Sequence, residues 1–209
     1  QRQMCIRDRI DSYGGGINFI GHTPPFFKSH SYSPIKDYKN SLSNRVVLSL
    51  CTDKDNKLWI GTDGGGINVF EKDNRTVIYN EENGKLSHNS IISEYCDSQN
   101  NIWIGTFMGG VDIYDYNKKN FSHASLKEIS SCDARCFYED NKNNMWIGTS
   151  SGIFIVNTQT YENIMHYTTE NSSLPENTIR SLIQDTKGRI WIGTCLLYTS
   201  PSPRDGLLS

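Results

Sequence analysis

Asp53-Lys54-Asp55-Asn56-Lys57-Leu58-Trp59-Ile60-Gly61-Thr62 decides how the chain is read, because the same frame returns three more times. Trp-Ile-Gly-Thr stands at Trp59 to Thr62, Trp103 to Thr106, Trp146 to Thr149 and Trp191 to Thr194, and no tryptophan lies outside it. Successive copies are 44, 43 and 45 residues apart. Self-similarity at such a period marks stacked supersecondary units, so the chain is a repeat protein. Six residues before each Trp stands an Asp: Asp53, Asp97, Asp140 and Asp185. The residues between are turn formers, and Asp with Asn, Ser or Gly between two apolar runs predicts a hairpin. Gly-rich turns at Asp63 to Gly66, Phe107 to Gly110 and Ser150 to Gly152 follow the Thr, and each opens another apolar run.

Working outward, Val46 to Asn80 divides into four short strands, VVLSLCTD, KLWIGT, GINVFE and TVIYN. The next two units divide in the same way, and the chain closes on TIRSLIQD and RIWIGT. Four strands at a period near 44 is the arithmetic of a β-propeller blade. The expected fold is therefore all-β: three full antiparallel blades flanked by two half blades in an open arc, with repeats near 10–42, 43–86, 87–130, 131–174 and 175–194. The first two strands of each unit are apolar at nearly every residue, which suits sheets covered on both faces. Each Trp is expected to fill the gap between neighbouring sheets, and Gly61, Gly105, Gly148 and Gly193 to permit close approach there. The segment carrying Pro24, Pro25 and Pro34 reads as a loop insertion.

Both ends look foreign. Met4 to Arg9 (MCIRDR) and Cys195 to Thr199 (CLLYT) can be encoded by reverse-complementary strings, which resemble the transposon end of sequencing-library adapters. Residues 1–9 and 195–209 are accordingly set aside as non-native tails, and the gene product is expected to continue in both directions. Four cysteines then remain, and Cys51, Cys96, Cys132 and Cys136 read as buried thiols, since no second pair stands at zinc-ligand spacing.

The 209 residues carry a formal net charge of −2, which points away from nucleic acid and anionic membranes as partners. Gly148-Thr149-Ser150-Ser151-Gly152 satisfies the nucleophile-elbow pattern, but a strand rather than a helix follows it. The five histidines share no repeat position, so no metal ring is expected. No carboxylate pair stands out for acid and base roles, and neither a catalytic centre nor a cofactor is expected.

Binding is the better prospect. In a propeller, the loops entering the first strand and those joining the second to the third share one face. The entering loops carry Asn44, Arg45, His88, Asn89, Arg135, Asn177 and Arg180, and the others Asp63, Phe107, Met108 and Ser150. Arg, Asn and exposed aromatics hold acidic or hydroxyl-rich glycans by hydrogen bonding and stacking. Asn44, Arg45, Asp63, His88, Asn89, Phe107, Arg135 and Arg180 are the candidate ligand residues. The alternative role for such Arg and Asn side chains is to tie loops.

The repeat resembles the two-component regulator propeller repeat. Asn177 to Thr194 follows that pattern most closely, Asn89 to Asp112 follows it with Gln99 and Asn100 in its turn, and Cys132 to Asn157 departs furthest. The resemblance implies a sensor, since proteins of this family are typically membrane-spanning hybrid histidine kinases of Bacteroidetes-type bacteria with propellers outside the inner membrane. It implies a periplasmic, non-catalytic fragment that detects an oligosaccharide, with homodimerisation and membrane attachment through other parts of the parent. The alternatives are a protein-interaction scaffold and a propeller glycoside hydrolase or lyase.

Overall fold

The computed structural model describes residues 9–12, 16–20, 27–33, 41–71, 76–123 and 129–195. Among them are seventeen strands and no helix, in two compact units that divide between Ala134 and Arg135. The first unit opens with a three-stranded sheet of β1 (Arg9–Ser12), β2 (Gly16–Ile20) and β3 (Phe27–His30). Two four-stranded sheets follow. One is β4 (Val47–Thr52), β5 (Leu58–Thr62), β6 (Ile67–Phe70) and β7 (Thr76–Tyr79); the other is β8 (Ile91–Cys96), β9 (Ile102–Thr106), β10 (Val111–Asp115) and β11 (Asn120–His123). The second unit takes β12 (Ala134–Glu139, less its first residue), β13 (Asn144–Thr149), β14 (Gly152–Asn157) and β15 (Asn163–Tyr167) as one sheet. A two-stranded sheet of β16 (Ile179–Gln184) and β17 (Ile190–Thr194) completes it. All five sheets are antiparallel meanders in chain order, the propeller-blade pattern that the period predicts.

The first sheet carries three strands where half a blade was expected. Phe27–His30 pairs with β2 in the register Ile17↔His30 to Ile20↔Phe27, so the proline-bearing insertion contains a strand. Pro24 and Pro25 precede it in the sequence and lie outside the described residues.

Each Asp closes its hairpin in the same way. Asp53 Oδ1 accepts the backbone N–H of Asp55 (3.0 Å) and Lys57 (2.8 Å), while Oδ2 accepts the Trp59 indole N–H at 3.1 Å. The same three bonds recur at Asp97, Asp140 and Asp185, with the indole at 3.0 Å each time. The residue three places after the Asp takes positive φ: Asn56, Asn100, Asn143 and Gly188. Asn tolerates that region better than other side chains, which is why it can stand where the repeat pattern has Gly. At Asp140 and Asp185 the bonds set the carboxyl group low. At Asp185 the Arg189 amide and then the Trp191 indole hold it at about 2. At Asp140 burial alone would raise the group, but the Trp146 indole and the Asn144 amide carry it below the ordinary value.

In the first unit, Trp59, Ile67, Val69, Leu86, Ile91, Ile102 and Ile104 form one core cluster between the two four-stranded sheets. The Trp59 ring lies 4.9 Å from that of Tyr114, and Tyr79 lies 4.7 Å from Phe121. All five residues of β9 are buried, as a sheet covered on both faces requires. Gly61 sits where a Cβ would stand 2.7 Å from Ile91 Cγ2 and against the Ser49 hydroxyl. Glycine is needed there for approach, not for φ. In the second unit, Met145, Ile147 and Val156 are fully buried, and a Cβ on Gly148 would meet Ile179 Cγ2 at 2.7 Å. Trp191 is 57% exposed, against 0% for Trp103.

A candidate ligand groove on the loop face

The loops of the first unit are fixed by short side-chain bonds. Asn68 on β6 accepts the Ser43 amide through Oδ1 (2.8 Å) and donates to the Ser43 hydroxyl through Nδ2 (2.7 Å). In the next sheet Asp112 does the same work, accepting both the amide and the hydroxyl of Ser87 at 2.8 Å. Asn44 Oδ1 accepts the Val46 amide at 3.0 Å, and His88 Nδ1 accepts the Ser90 amide at the same distance. That bond assigns the ring proton of a neutral His88 to Nε2. The Ser90 hydroxyl also donates to Asp63, which ties the β5–β6 turn to the entry of β8.

Between these loops lies a groove of about 660 Å³. Its walls are Tyr32, Ser33, Ser41, Leu42 and Ser43 on one side, with Gly64 and Gly65 at the β5–β6 turn. Ile78, Asn80, Glu82, Asn83 and Asn89, from β7 and the connection to β8, complete it. The volume falls within the range of small-ligand sites. Among the described residues its polar lining is hydroxyls, carboxamides, one aromatic ring and one carboxylate, and the Arg45 guanidinium sits 5.5 Å from the centre of the Tyr32 ring. Such a surface offers donors and acceptors to a neutral, hydroxyl-rich molecule and a ring on which its C–H face can rest.

The structure places Asn44, Arg45, Asp63, His88, Asn89 and Phe107 in the first unit, and Arg135 and Arg180 in the second. Of these, Asn89 lines the groove, while Ser43 and Gly64 bring the neighbours of Asn44 and Asp63 to its wall. Asn89 also ties its loop: its Oδ1 accepts the Glu81 amide at 2.8 Å and its own amide donates to Glu81 Oε1 at 2.7 Å. Phe107 is 45% exposed beside the His88 ring, with centroids 6.2 Å apart. Its neighbour Met108 is held at φ 55° while its amide donates to Asp133 at 3.0 Å. Arg180 is exposed and its Nε lies 2.8 Å from Cys195 Sγ. Arg135 is partly buried.

Tyr32, Asn80, Glu82 and Asn83 are groove residues that sequence reasoning did not single out, because they lie outside the two loop classes considered. A signal was there. Tyr79-Asn80-Glu81-Glu82-Asn83 returns as Tyr167-Thr168-Thr169-Glu170-Asn171. Asn83 and Asn171 brace their turns alike, donating to Ile78 O at 2.9 Å and to His166 O at 2.8 Å.

The two component regulator propeller family matches residues 41–64, 85–108, 128–151 and 173–195. Histidine kinase P4 of Formosa agariphila is 29% identical over 164 residues, spanning 73% of this chain and 12% of that protein. A crystal structure of the extracellular domain of a hybrid two-component system from B. thetaiotaomicron is 46% identical with a TM-score of 0.72. It covers 89% of this chain, which spans 24% of that one. The extracellular domain of a one-component system from the same organism shares the fold at 24% identity and a TM-score of 0.63, over 89% of this chain and 28% of its own. The Asp-x5-Trp-Ile-Gly-Thr hairpins, the four-stranded meanders and these matches agree: the chain is a run of two-component regulator propeller repeats and belongs to that family.

Proposed function

We propose that this chain is the ligand-sensing part of a two-component regulator, placed in the periplasm, and that the groove beside Tyr32 takes an oligosaccharide. The observation that carries the reading is the groove lining: among the described residues, three serines, three asparagines and Glu82 are set around an aromatic ring. Carboxylate and carboxamide groups match adjacent sugar hydroxyls, and an aromatic face accepts the pyranose C–H surface. The net charge of −2 speaks against nucleic acid. Support for an extracytoplasmic place comes from the B. thetaiotaomicron relative, which is an extracellular domain. Signal output would fall to a histidine kinase, as the Formosa relative is, with homodimerisation through that parent.

We read the groove as binding without cleaving. Glycoside hydrolysis needs two carboxyl groups about 5–10 Å apart across the bond, and among the described residues Glu82 is the one carboxylate in the lining. The test is saccharide binding to the 209-residue chain by glycan array and calorimetry, with Glu82→Gln and Tyr32→Ala beside it. Each change should weaken binding about 10- to 100-fold, as expected for removing one well-placed polar or stacking contact. Affinity unchanged in both variants would overturn the assignment of the groove. A protein-interaction scaffold is the second reading, favoured by Ile164 and Met165, which stand 52% and 45% exposed on β15. It predicts no saccharide binding at all.

A further inference from the structure

Two thiols face each other across a sheet junction in the first unit. β4 and β8 are the first strands of their sheets, and their Cα atoms approach within 8 Å. On β4, Cys51 stands opposite Trp59 in the antiparallel register, so both side chains share one face of that sheet. On β8, Cys96 stands opposite Ile102 and shares its face. Trp59 and Ile102 belong to one core cluster, and Cys51 and Cys96 both pack against it. The two cysteines therefore look into the same gap from opposite walls, and the Cys96 backbone N–H is aimed at the Cys51 sulfur.

Nothing strong holds either thiol where it is. Cys51 Sγ lies 3.9 Å from Thr52 O, and Cys96 Sγ lies 3.3 Å from Asn100 Oδ1, both contacts of a weak donor that a χ1 rotation exchanges. Both are half-buried rather than sealed, so an oxidant can reach them. The positions equivalent to Cys51 are Tyr95, Tyr138 and Ile183, and those equivalent to Cys96 are Thr52, Glu139 and Gln184. A facing thiol pair thus belongs to one junction of the repeat array.

We propose that Cys51 and Cys96 close into a disulfide that staples the sheet of β4–β7 to the sheet of β8–β11 when the chain meets a disulfide-bearing oxidant. The deprotonated Cys96 sulfur attacks one sulfur of the oxidant, its S–S bond breaks, and one thiolate leaves. Cys51 then loses its proton and attacks the Cys96 sulfur, expelling the second thiolate. Two protein thiols are oxidised, one external disulfide is reduced to two thiols, and the two protons pass to the leaving groups. The reaction is slow: burial, and then the neighbouring Glu94 carboxylate, push the Cys51 thiol up to about 12, and burial followed by Asp97 raises Cys96. Such a pair is a structural staple and not a fast redox sensor. It sits at the Asp53 end of the strands, opposite the Gly64 end where the groove opens, and does not depend on what the groove binds.

The experiment incubates the purified 209-residue chain with oxidised glutathione and then reads free thiols, intact mass and tryptic peptides. The expected result is loss of the Cys51 and Cys96 thiols, which lowers the mass by about 2 Da beside any glutathione adduct on the exposed Cys195, and a peptide joining Val46–Lys54 to the fragment that contains Cys96. Closing a loop of this length should raise Tm by on the order of 10 °C. Cys51→Ser and Cys96→Ala, tested separately, should each abolish the cross-link and the rise in Tm. Stable glutathione adducts on both cysteines without a cross-link would overturn the proposal. So would pairing of either with Cys132, Cys136 or a second chain. If one variant fails to fold, the other and the wild-type peptide map still decide.

Discussion

Replacing Glu94 by leucine should change how the stability of the first unit depends on pH. Glu94 lies on β8, opposite Ile104 and therefore on the face that packs against β4. The equivalent residues of the other repeats are Leu50, Phe137 and Leu182, so a carboxyl group occupies an apolar position. Part of its stem is accessible, but both oxygens are sealed from solvent and close no hydrogen bond, although Ser49 and the Gly61 amide lie beside them. Burial pushes the group up to about 8, against the weaker pull of Ser49 and Gly61. Below its ordinary value of 4.5 the carboxyl is protonated in folded and unfolded chains alike, and stability is undiminished. Between 4.5 and about 8 the unfolded chain releases the proton and the folded chain keeps it, so stability falls by about 1.4 kcal/mol per pH unit. Above that window the loss is complete, at about 5 kcal/mol. Glu94→Leu lacks this fall. Any gain in apolar packing shifts its curve equally at every pH, so the slope is diagnostic. Urea unfolding of both chains at pH 5, 6, 7 and 8, followed by tryptophan fluorescence, gives the comparison. Stability curves that run parallel from pH 5 to 8 would refute the reasoning.

Other substitutions probe the hairpin and the junction. Asp97→Ala strands four donors of a buried carboxylate, from Gln99, Asn101 (amide and Nδ2) and Trp103, and should cost about 3–5 kcal/mol in urea unfolding. The same change at Asp185, beside an exposed Trp191, should cost clearly less, and equal losses would deny the part played by burial. Gly61→Ala should cost about 1–3 kcal/mol by overpacking against Ile91 and Ser49. Adding Ile91→Ala should recover part of that loss, and a strictly additive double mutant would show that the two residues do not meet.

The architecture was legible because its signals are local and repeated. An Asp six residues before a Trp needs only one hairpin to satisfy both, so the pattern survives in sequence wherever the hairpin does. The strand after Pro25 was less visible, since prolines ahead of Phe27 read as a loop until a partner strand is known. For the proposed site, the sequence pointed to loops of which Asn89 lines the groove, without separating groove-facing residues from loop ties. Asn44, His88 and Asn89 all spend a side-chain atom on a backbone amide close by, and such a bond looks the same in sequence as a free polar group. Arg135 and Arg180 share a repeat position with Leu48 and Ile92, yet they belong to the second unit and not to the groove-bearing one. Glu94 was visible as a mismatch among aligned apolar residues, but its meaning depends on how completely its oxygens are enclosed, which is a property of the packed sheets.

The indole clamp has a consequence for how such arrays change over generations. Because the carboxylate and the indole it grips are only six residues apart, each of these four hairpins carries this fastening within itself. Unequal crossing-over between two copies therefore deletes or duplicates a whole blade while leaving each surviving fastening intact. What must be renegotiated is confined to the seam, where a glycine on one sheet meets Ile91 or Ile179 on the first strand of the next.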